Sequence, residues 1–430
     1  MKLVNLPTEK FKEIADKHPQ ITFHQTTEWA NLKKVNGWNS HYIGLEDEDN
    51  IIGLALLLSK QIPIIHKKMF YSPRGFLIDY NNKELLKEFT TLLKEYIKKE
   101  KGIFVKIDPY VEYQERDNDG NIVENGYNNK VAVENLKECG YHFFGFNLMQ
   151  DTLQPRWMHV IEINDRTEEE VQKDFESKTR QILRKNEKSC IKTHEITKEE
   201  LPIFKSIMEH TGERRDFIDR PLSYYEAMWD NLYPSGILKI LIADIDFNLY
   251  EENTKKELEE VEKSLKDRIY KHDNNILKMN EKKYESTNKQ DQDSIDRLQK
   301  QIAKIKEYKN QYGEKKTLGA ILFLIYGNEV LSLFGGTDDN LLQFQSAYTL
   351  HYAGIKQAID NHYKRYNFYG ITGDFRKENP LYGLYLFKKS FGGHVVELIG
   401  EYDLIISKFW YKTYHITFNL YHKLKQRKSK

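Results

Sequence analysis

Ile237-Leu-Lys-Ile-Leu-Ile-Ala-Asp244 and Thr317-Leu-Gly-Ala-Ile-Leu-Phe-Leu-Ile-Tyr326 are apolar runs of strand length, separated by a long polar stretch. From Leu249 to Tyr312 the chain is nearly all Lys, Glu, Asp, Asn and Gln, without Pro or Gly. Its sparse apolar residues are Leu258, Val261, Leu265, Ile269, Ile276 and Met279. After a polar break near Ser286 to Asp291 come Ile295, Leu298, Ile302, Ile305, Tyr308 and Tyr312. Steps of three and four residues draw a narrow apolar seam along a helix. Two such arms joined by a polar turn predict an antiparallel helical hairpin over 249–312. The alternatives are one long solvated helix or a disordered linker. Nothing in this segment carries enough apolar surface to join a neighbouring core, so it reads as an insertion between two strands of one domain.

Strand and helix patterns continue outward from the insertion. After Gly313, strands Thr317 to Tyr326 and Glu329 to Phe334 flank a Gly327-Asn328 turn. A helix from Ala347 to Tyr363 and a strand from Tyr366 to Tyr369 follow. Before the insertion come a strand at Trp157 to Ile163 and helices at Leu201 to Thr211 and Ser223 to Leu232. Thr167 opens another helix, with Glu168, Glu169 and Glu170 in the first turn, where negative charge suits the helix dipole. These pieces form one interrupted domain, 151–248 plus 313–389. The N-terminal third has the same character. It has a helix at Thr27 to Val35, strands at His41 to Leu45, Asn50 to Lys60 and Ile103 to Ile107, and helices at Lys83 to Lys99 and Asn128 to Cys139. It reads as a second α/β domain, 1–150, completed by about 390–430. The fold class is α/β with mixed sheets: two copies of one unit and an inserted hairpin.

Composition narrows the function. At 430 residues the chain exceeds one ordinary core. Hydrophobic residues at 39% and charged residues at 30% describe a folded, soluble protein. The 66 Lys+Arg against 65 Asp+Glu leave a net charge of +1, so any RNA or phosphate site must be a local patch. Cys139 and Cys190 form neither a CxxC motif nor a metal-ligand spacing and read as reduced thiols. No metal site is expected. Met1 to Gln20 lacks the apolar core of a signal peptide. No apolar run, Ile51 to Leu58 included, approaches the length of a membrane span. The expected location is the cytoplasm, with peripheral association at the inner membrane face.

Four stretches carry more than composition. They are Phe23-His-Gln25-Thr-Thr-Glu-Trp29-Ala-Asn-Leu-Lys33 with Trp38; Tyr71-Ser-Pro73-Arg74-Gly75; Gln154-Pro-Arg-Trp157 with Arg220-Pro-Leu-Ser-Tyr224-Tyr225; and Gly383-Leu-Tyr-Leu-Phe387-Lys388-Lys389-Ser-Phe391-Gly392-Gly393 leading to Glu397 and Glu401. In this order, over nearly the whole chain, they resemble the Fem family of aminoacyltransferases that build the interpeptide bridge of peptidoglycan. The insertion resembles the coiled-coil arm of one branch of that family. The resemblance implies two N-acetyltransferase-like domains with the hairpin projecting from the second. It also implies transfer of Gly, Ala or Ser from aminoacyl-tRNA to an amine of a lipid-linked or UDP-linked precursor. No cofactor is implied, because the ester of the co-substrate is already activated. Partners would be the aminoacyl-tRNA, the precursor, the membrane face, and a second copy or a related transferase.

The residues also have readings of their own. Lys388, between Phe387 and the Phe391-Gly392-Gly393 turn, could meet an RNA phosphate or a developing oxyanion; the alternative is a solvated lysine between strands. The resemblance makes Lys388 catalytic and Phe387 a substrate contact. Arg220 and Tyr224 share a face if helical, and Pro221 suits a helix start. The resemblance gives this pair the precursor's diphosphate and sugar. Lys33 matches a diphosphate-binding lysine, with Lys34 as its competitor. Arg74, in a Pro-Arg-Gly turn, either binds substrate or satisfies turn carbonyls. Asp108 reads as a turn former and as a base candidate. Leu333-Phe334-Gly335-Gly336 departs from the family's Tyr before Gly-Gly. Asp338 to Gln345 lacks the glycines of a pyrophosphate loop, which disfavours the runner-up, an acyl-CoA N-acyltransferase. A non-catalytic tRNA- or membrane-associated scaffold is the third reading.

Overall fold

The computed structural model describes residues 1–63, 65–148, 152–215 and 217–417. Its strands are β1 (Lys2–Asn5), β2 (Asn39–Asp47), β3 (Asn50–Ile62), β4 (Lys67–Ser72), β5 (Gly102–Ile107), β6 (Tyr141–Phe143), β7 (Trp157–Glu162), β8 (Ile191–Glu195), β9 (Leu238–Asp246), β10 (Lys315–Tyr326), β11 (Glu329–Thr337), β12 (Arg365–Gly370), β13 (His394–Glu397) and β14 (Tyr402–Ile405). They form two seven-stranded sheets, ordered β1-β2-β3-β4-β5-β14-β6 and β13-β7-β12-β11-β10-β9-β8. Each sheet has one parallel pair, β4 with β5 and β11 with β12; every other pairing is antiparallel. Helix Lys83–Lys99 crosses over between the first pair and Ser346–Asp360 between the second. Four antiparallel strands followed by a parallel neighbour is thus a plan used twice. This is a mixed α/β architecture of two like units.

Local sequence explains the elements. In helix Lys83–Lys99, Leu86, Phe89, Leu93 and Ile97 are buried on one face, the three- and four-residue steps that cover a sheet. Asn82 caps its start by accepting the Leu85 N–H. Thr167 and Glu170 form a reciprocal capping box at the helix the acidic run announces.

The domain exchange differs from the sequence reading. β13 pairs antiparallel with β7 in the second sheet, and only β14 enters the first, between β5 and β6. The crossover therefore lies between β13 and β14, beyond the expected boundary at 389–390. The glycines ahead of β13 explain why no strand begins earlier. Gly393 has φ +86°, and a Cβ there would lie 2.0 Å from the Val160 carbonyl oxygen.

The hairpin consists of helices Phe247–Asp273 and Glu281–Tyr312. Its turn is at 274–280, so the polar stretch Ser286 to Asp291 lies inside the second helix, not at the break. The expectation that the insertion contributes nothing to a core is also wrong. Phe247, Tyr250 and Ile305 are buried in the second-domain core with Phe344, and Tyr308 and Tyr312 pack against it. The base of the arm is thus part of the domain, and only the distal part is separate. Ile305→Ala is expected to destabilise the protein by about 2–5 kcal/mol, the cost of a buried aliphatic truncation. Ile269→Ala, at a site 39% exposed, should stay within about 0.5 kcal/mol. Denaturant unfolding of both variants is the measurement, and equal effects would return the whole arm to the status of an appendage.

Candidate active site

The parallel neighbours β4 and β5 end together at the Ser72–Ile107 pair. Arg74 follows β4 and Asp108 follows β5. Arg74 has φ +60°, a left-handed conformation that costs energy outside glycine and is kept here by specific bonds. Its backbone N–H donates to Asp108 Oδ1 at 2.8 Å, and its guanidinium donates to the Pro155 carbonyl at 3.1 Å. The Tyr71 hydroxyl donates to both Asp108 oxygens at 3.1 and 3.2 Å. Burial pushes the Asp108 carboxyl up to about 7, against the pull of the Arg74 charge and of these bonds. Sequence reading left Arg74 and Asp108 each between two roles; the structure puts them in one buried constellation.

The second domain closes over this platform. Tyr110 donates to Glu329 at 3.0 Å, Asn367 donates to the same carboxylate at 3.1 Å, and Arg365 reaches Glu112 at 3.0 Å. Tyr369, at φ +62°, sits in a bulge at the end of β12. Its hydroxyl donates to Gln154 Oε1 at 2.5 Å, and it also hydrogen-bonds Arg74.

Lys388 lies in the last turn of helix Tyr382–Lys389, not between strands. It is buried, and its Nζ donates to the carbonyls of Phe368 and Gly370 at 2.7 and 2.8 Å, on either side of Tyr369. An ammonium has three N–H donors, so two hold the bulge and one remains. Burial lowers its pKa to about 7. Phe387 faces away, packed on Tyr348, His351 and Phe391 in the second core. The Gly392-Gly393 pair serves strand packing rather than ligand approach.

Lys33 and Arg220 mark the other side of the seam. Thr26 caps helix Thr27–Val35 by accepting the Trp29 N–H at 3.1 Å. One turn on, Lys33 Nζ sits 4.2 Å from the Trp29 ring centroid. Its pKa falls to about 8, through burial first and the Arg220 charge second. Lys34, by contrast, is exposed and donates to Asn31 Oδ1 at 3.1 Å. Pro221 is the N-cap of helix Leu222–Leu232, which leaves Arg220 just outside it. The two residues still meet: the guanidinium lies 5.6 Å from the Tyr224 ring centroid. The nearby Asp219 is engaged by Lys205 and the Tyr225 hydroxyl at 2.8 and 2.6 Å. Among the described residues no carboxylate pairs with Lys33 or Arg220.

His24 joins the two halves and was missed in the sequence, although its motif was noticed. It is buried, and burial holds its pKa well below the usual histidine range, aided by the charges of Arg74 and Lys33. Its Nδ1 has no hydrogen-bond partner among the described residues. Tyr71 and Gln154 lie in the motifs quoted above without a role of their own, and Tyr369 lies outside them; the fold brings Tyr71 to Asp108, and Tyr369 to Gln154 and Arg74.

The FemAB family model matches residues 6–418. The chain belongs to the FemAB family. It is 32% identical to the aminoacyltransferase FemA of Staphylococcus epidermidis over 421 residues, covering 96% of this chain and 98% of that one. It is 31% identical to FemA of Staphylococcus aureus, covering 96% and 97%. It superposes on the crystal structure of FemX with a TM-score of 0.79 at 27% identity, covering 96% and 99%. As a FemAB protein it is an aminoacyltransferase, and both α/β units and their connecting order are those of the family. Among the described residues no helix is long and apolar enough to cross a membrane.

Proposed function

We propose that the protein transfers Gly, Ala or Ser from aminoacyl-tRNA to an amine of a peptidoglycan precursor, extending its interpeptide bridge. The observation that carries this reading is the pair Lys33 and Arg220. Two cations approach each other without a carboxylate beside a Trp and a Tyr, an arrangement that an anionic ligand stabilises. A diphosphate suits it, because guanidinium grips phosphate in bidentate fashion and Tyr224 adds a hydroxyl. The precursor peptide would then run along the seam towards Asp108.

The acceptor amine attacks the ester carbonyl of the charged tRNA. An N–C bond forms, the C–O bond breaks, and the ribose hydroxyl leaves with a proton. Asp108, poised near pH 7, is suited to take the proton the amine loses. The remaining N–H of Lys388 would stabilise the tetrahedral oxyanion or hold the RNA terminus. Arg74 keeps Asp108 oriented through its backbone N–H, and its guanidinium is the candidate substrate contact of this platform; Phe387 backs Lys388 from the core. The driving force is the ester, so no metal or nucleotide cofactor enters this scheme.

An acyl-CoA donor is less well served. Asp338 caps the helical turn after β11 by accepting the Asn340 N–H at 2.8 Å, and it also pairs with Lys316. That puts an acid where a pyrophosphate would bind. Purified protein incubated with precursor and either charged tRNA or acetyl-CoA separates the donors; product with acetyl-CoA alone would reverse the assignment. Arg220→Ala should weaken precursor binding by about 10–100-fold, the worth of one or two charge-assisted contacts. It should also reduce the salt dependence of binding. Calorimetric titration with a soluble precursor at two salt concentrations measures both, and unchanged affinity moves the diphosphate elsewhere.

A further inference from the structure

The helix over residues 408–417 has a face that no other described residue covers. Its inner side is spoken for: Trp410, Tyr411 and Tyr414 pack with Ile62, Phe104 and Met69, and the Tyr411 hydroxyl donates to Asp403 at 2.7 Å. Its outer side presents Phe409 at 70% exposure and Ile416 at 61%, one helical face seven residues apart, with Lys408 and Lys412 exposed beside them. Lys101, exposed at the adjoining turn, adds a third cation there, and its carbonyl accepts the Lys68 N–H. Of the acids at this end, Asp403 is buried and taken by Tyr411 and Lys106, and Glu100 is taken by Lys68 at 3.0 Å. Beyond Thr417 the sequence adds Lys423, Lys425, Arg427, Lys428 and Lys430 and no acid before its last residue.

We infer that this face is a membrane-docking surface for an anionic lipid leaflet. Two large apolar side chains flanked by lysines on one helical face are the pattern of a helix lying in the headgroup region. An RNA would satisfy the lysines and leave Phe409 and Ile416 in water. Anionic lipid satisfies both sets. The location also fits the reading proposed above. Lys60, two residues before Ile62 on β3, donates to the Asn36 carbonyl at 3.1 Å. The patch thus shares one end of the first sheet with the terminus of helix Thr27–Val35, which carries Lys33. A precursor anchored by a lipid would meet its diphosphate site beside the bilayer. This inference rests on the proposed function only in naming a lipid-linked acceptor.

The test is co-sedimentation of the full chain with vesicles of phosphatidylcholine alone or mixed with phosphatidylglycerol, without precursor or RNA. Binding to the anionic vesicles only is expected, reduced at least about 10-fold in the double variant Phe409→Ser, Ile416→Ser. Both positions are exposed, so the fold should survive. As an independent reading, Phe409→Trp should add emission that brominated lipid quenches. No binding by the unaltered chain, full binding by the double variant, or added emission from Phe409→Trp that brominated lipid leaves unquenched overturns the inference. The double variant should keep its rate on a nucleotide-linked acceptor and lose about 10-fold on the lipid-linked one in vesicles. Because the vesicle assay holds no substrate, its failure leaves the transfer reading standing, and failure of transfer leaves the docking result standing.

Discussion

Replacing Lys388 by Met is expected to slow transfer from charged tRNA by roughly 100–1000-fold, the scale of removing one oxyanion donor. Precursor affinity should change little. The ammonium is buried without an acidic partner among the described residues, and two of its N–H groups hold the carbonyls flanking Tyr369. A lysine serving only to pin the β12 bulge would also give a defect, but of another kind. Tyr369 contacts Arg74 and Gln154, so a collapsed bulge would disturb both domains and raise KM together with the loss in rate. Loss confined to kcat, in a variant with a cooperative unfolding transition, separates the chemical role from the structural one. Near-normal turnover by the folded variant would remove Lys388 from the mechanism. Burial lowers the Lys388 pKa from an ordinary value of 10.5 to about 7. Between those values the unfolded chain binds more protons, so this group's penalty on stability shrinks as pH rises from about 7 to 10.5. In Lys388→Met that pH-dependent contribution should be gone.

The sequence carried the fold wherever a local rule decided it. Helix Lys83–Lys99 was legible to the residue, because an amphipathic stripe and an Asn cap agree; it closes at Glu100 and the left-handed Lys101, one residue ahead of Gly102. The hairpin was legible as an object, but its turn was misplaced. Asn274-Asn275 and the Asn280 cap were overlooked in favour of a more uniformly polar stretch that continues as helix. The role of its base was hidden because Tyr250 and Ile305 look like seam residues until β10 lies beneath them. The exchange of β13 and β14 had no local signature, since strand partners are fixed by sheet edges far away in sequence. The site divides in the same way. Lys33, Arg74, Arg220 and Lys388 stood out within ordered motifs. His24 and Gln154 lie in the same motifs without a role, and Tyr369 lies outside them, because a buried aromatic or amide becomes informative only when its neighbours are known. Phe387 shows the converse: its motif was plain, and its side chain lies in the core.

Asp108→Asn should lower kcat/KM by about 100–10000-fold at pH 8, the range for loss of a general base, and should remove the acid limb of the pH profile. The carboxyl titrates near 7 because burial outweighs the Arg74 charge and the two hydrogen bonds it accepts. As the base it must be ionised, so kcat/KM of the unaltered protein should rise as pH increases through about 7. As a cation Lys388 must be protonated, so the rate should fall again above that value, giving a narrow maximum close to neutrality. Stability supplies a second, independent readout with a definite sign. The folded pKa is raised from 3.8 to about 7, so the folded state holds this proton more tightly. Its contribution to stability is fully present below about 3.8 and is lost as pH rises to 7. Asp108→Asn keeps a similar shape and stays neutral, so it should gain stability over the unaltered protein at pH 8 and show little difference at pH 4. The amide can still accept the Arg74 N–H through its oxygen, which keeps the Arg74 turn in place. A variant that gains stability at pH 8 but retains the acid limb would mean that Asp108 only shapes the turn. In that case the amine would reach the ester already deprotonated by desolvation, and the base would be solvent.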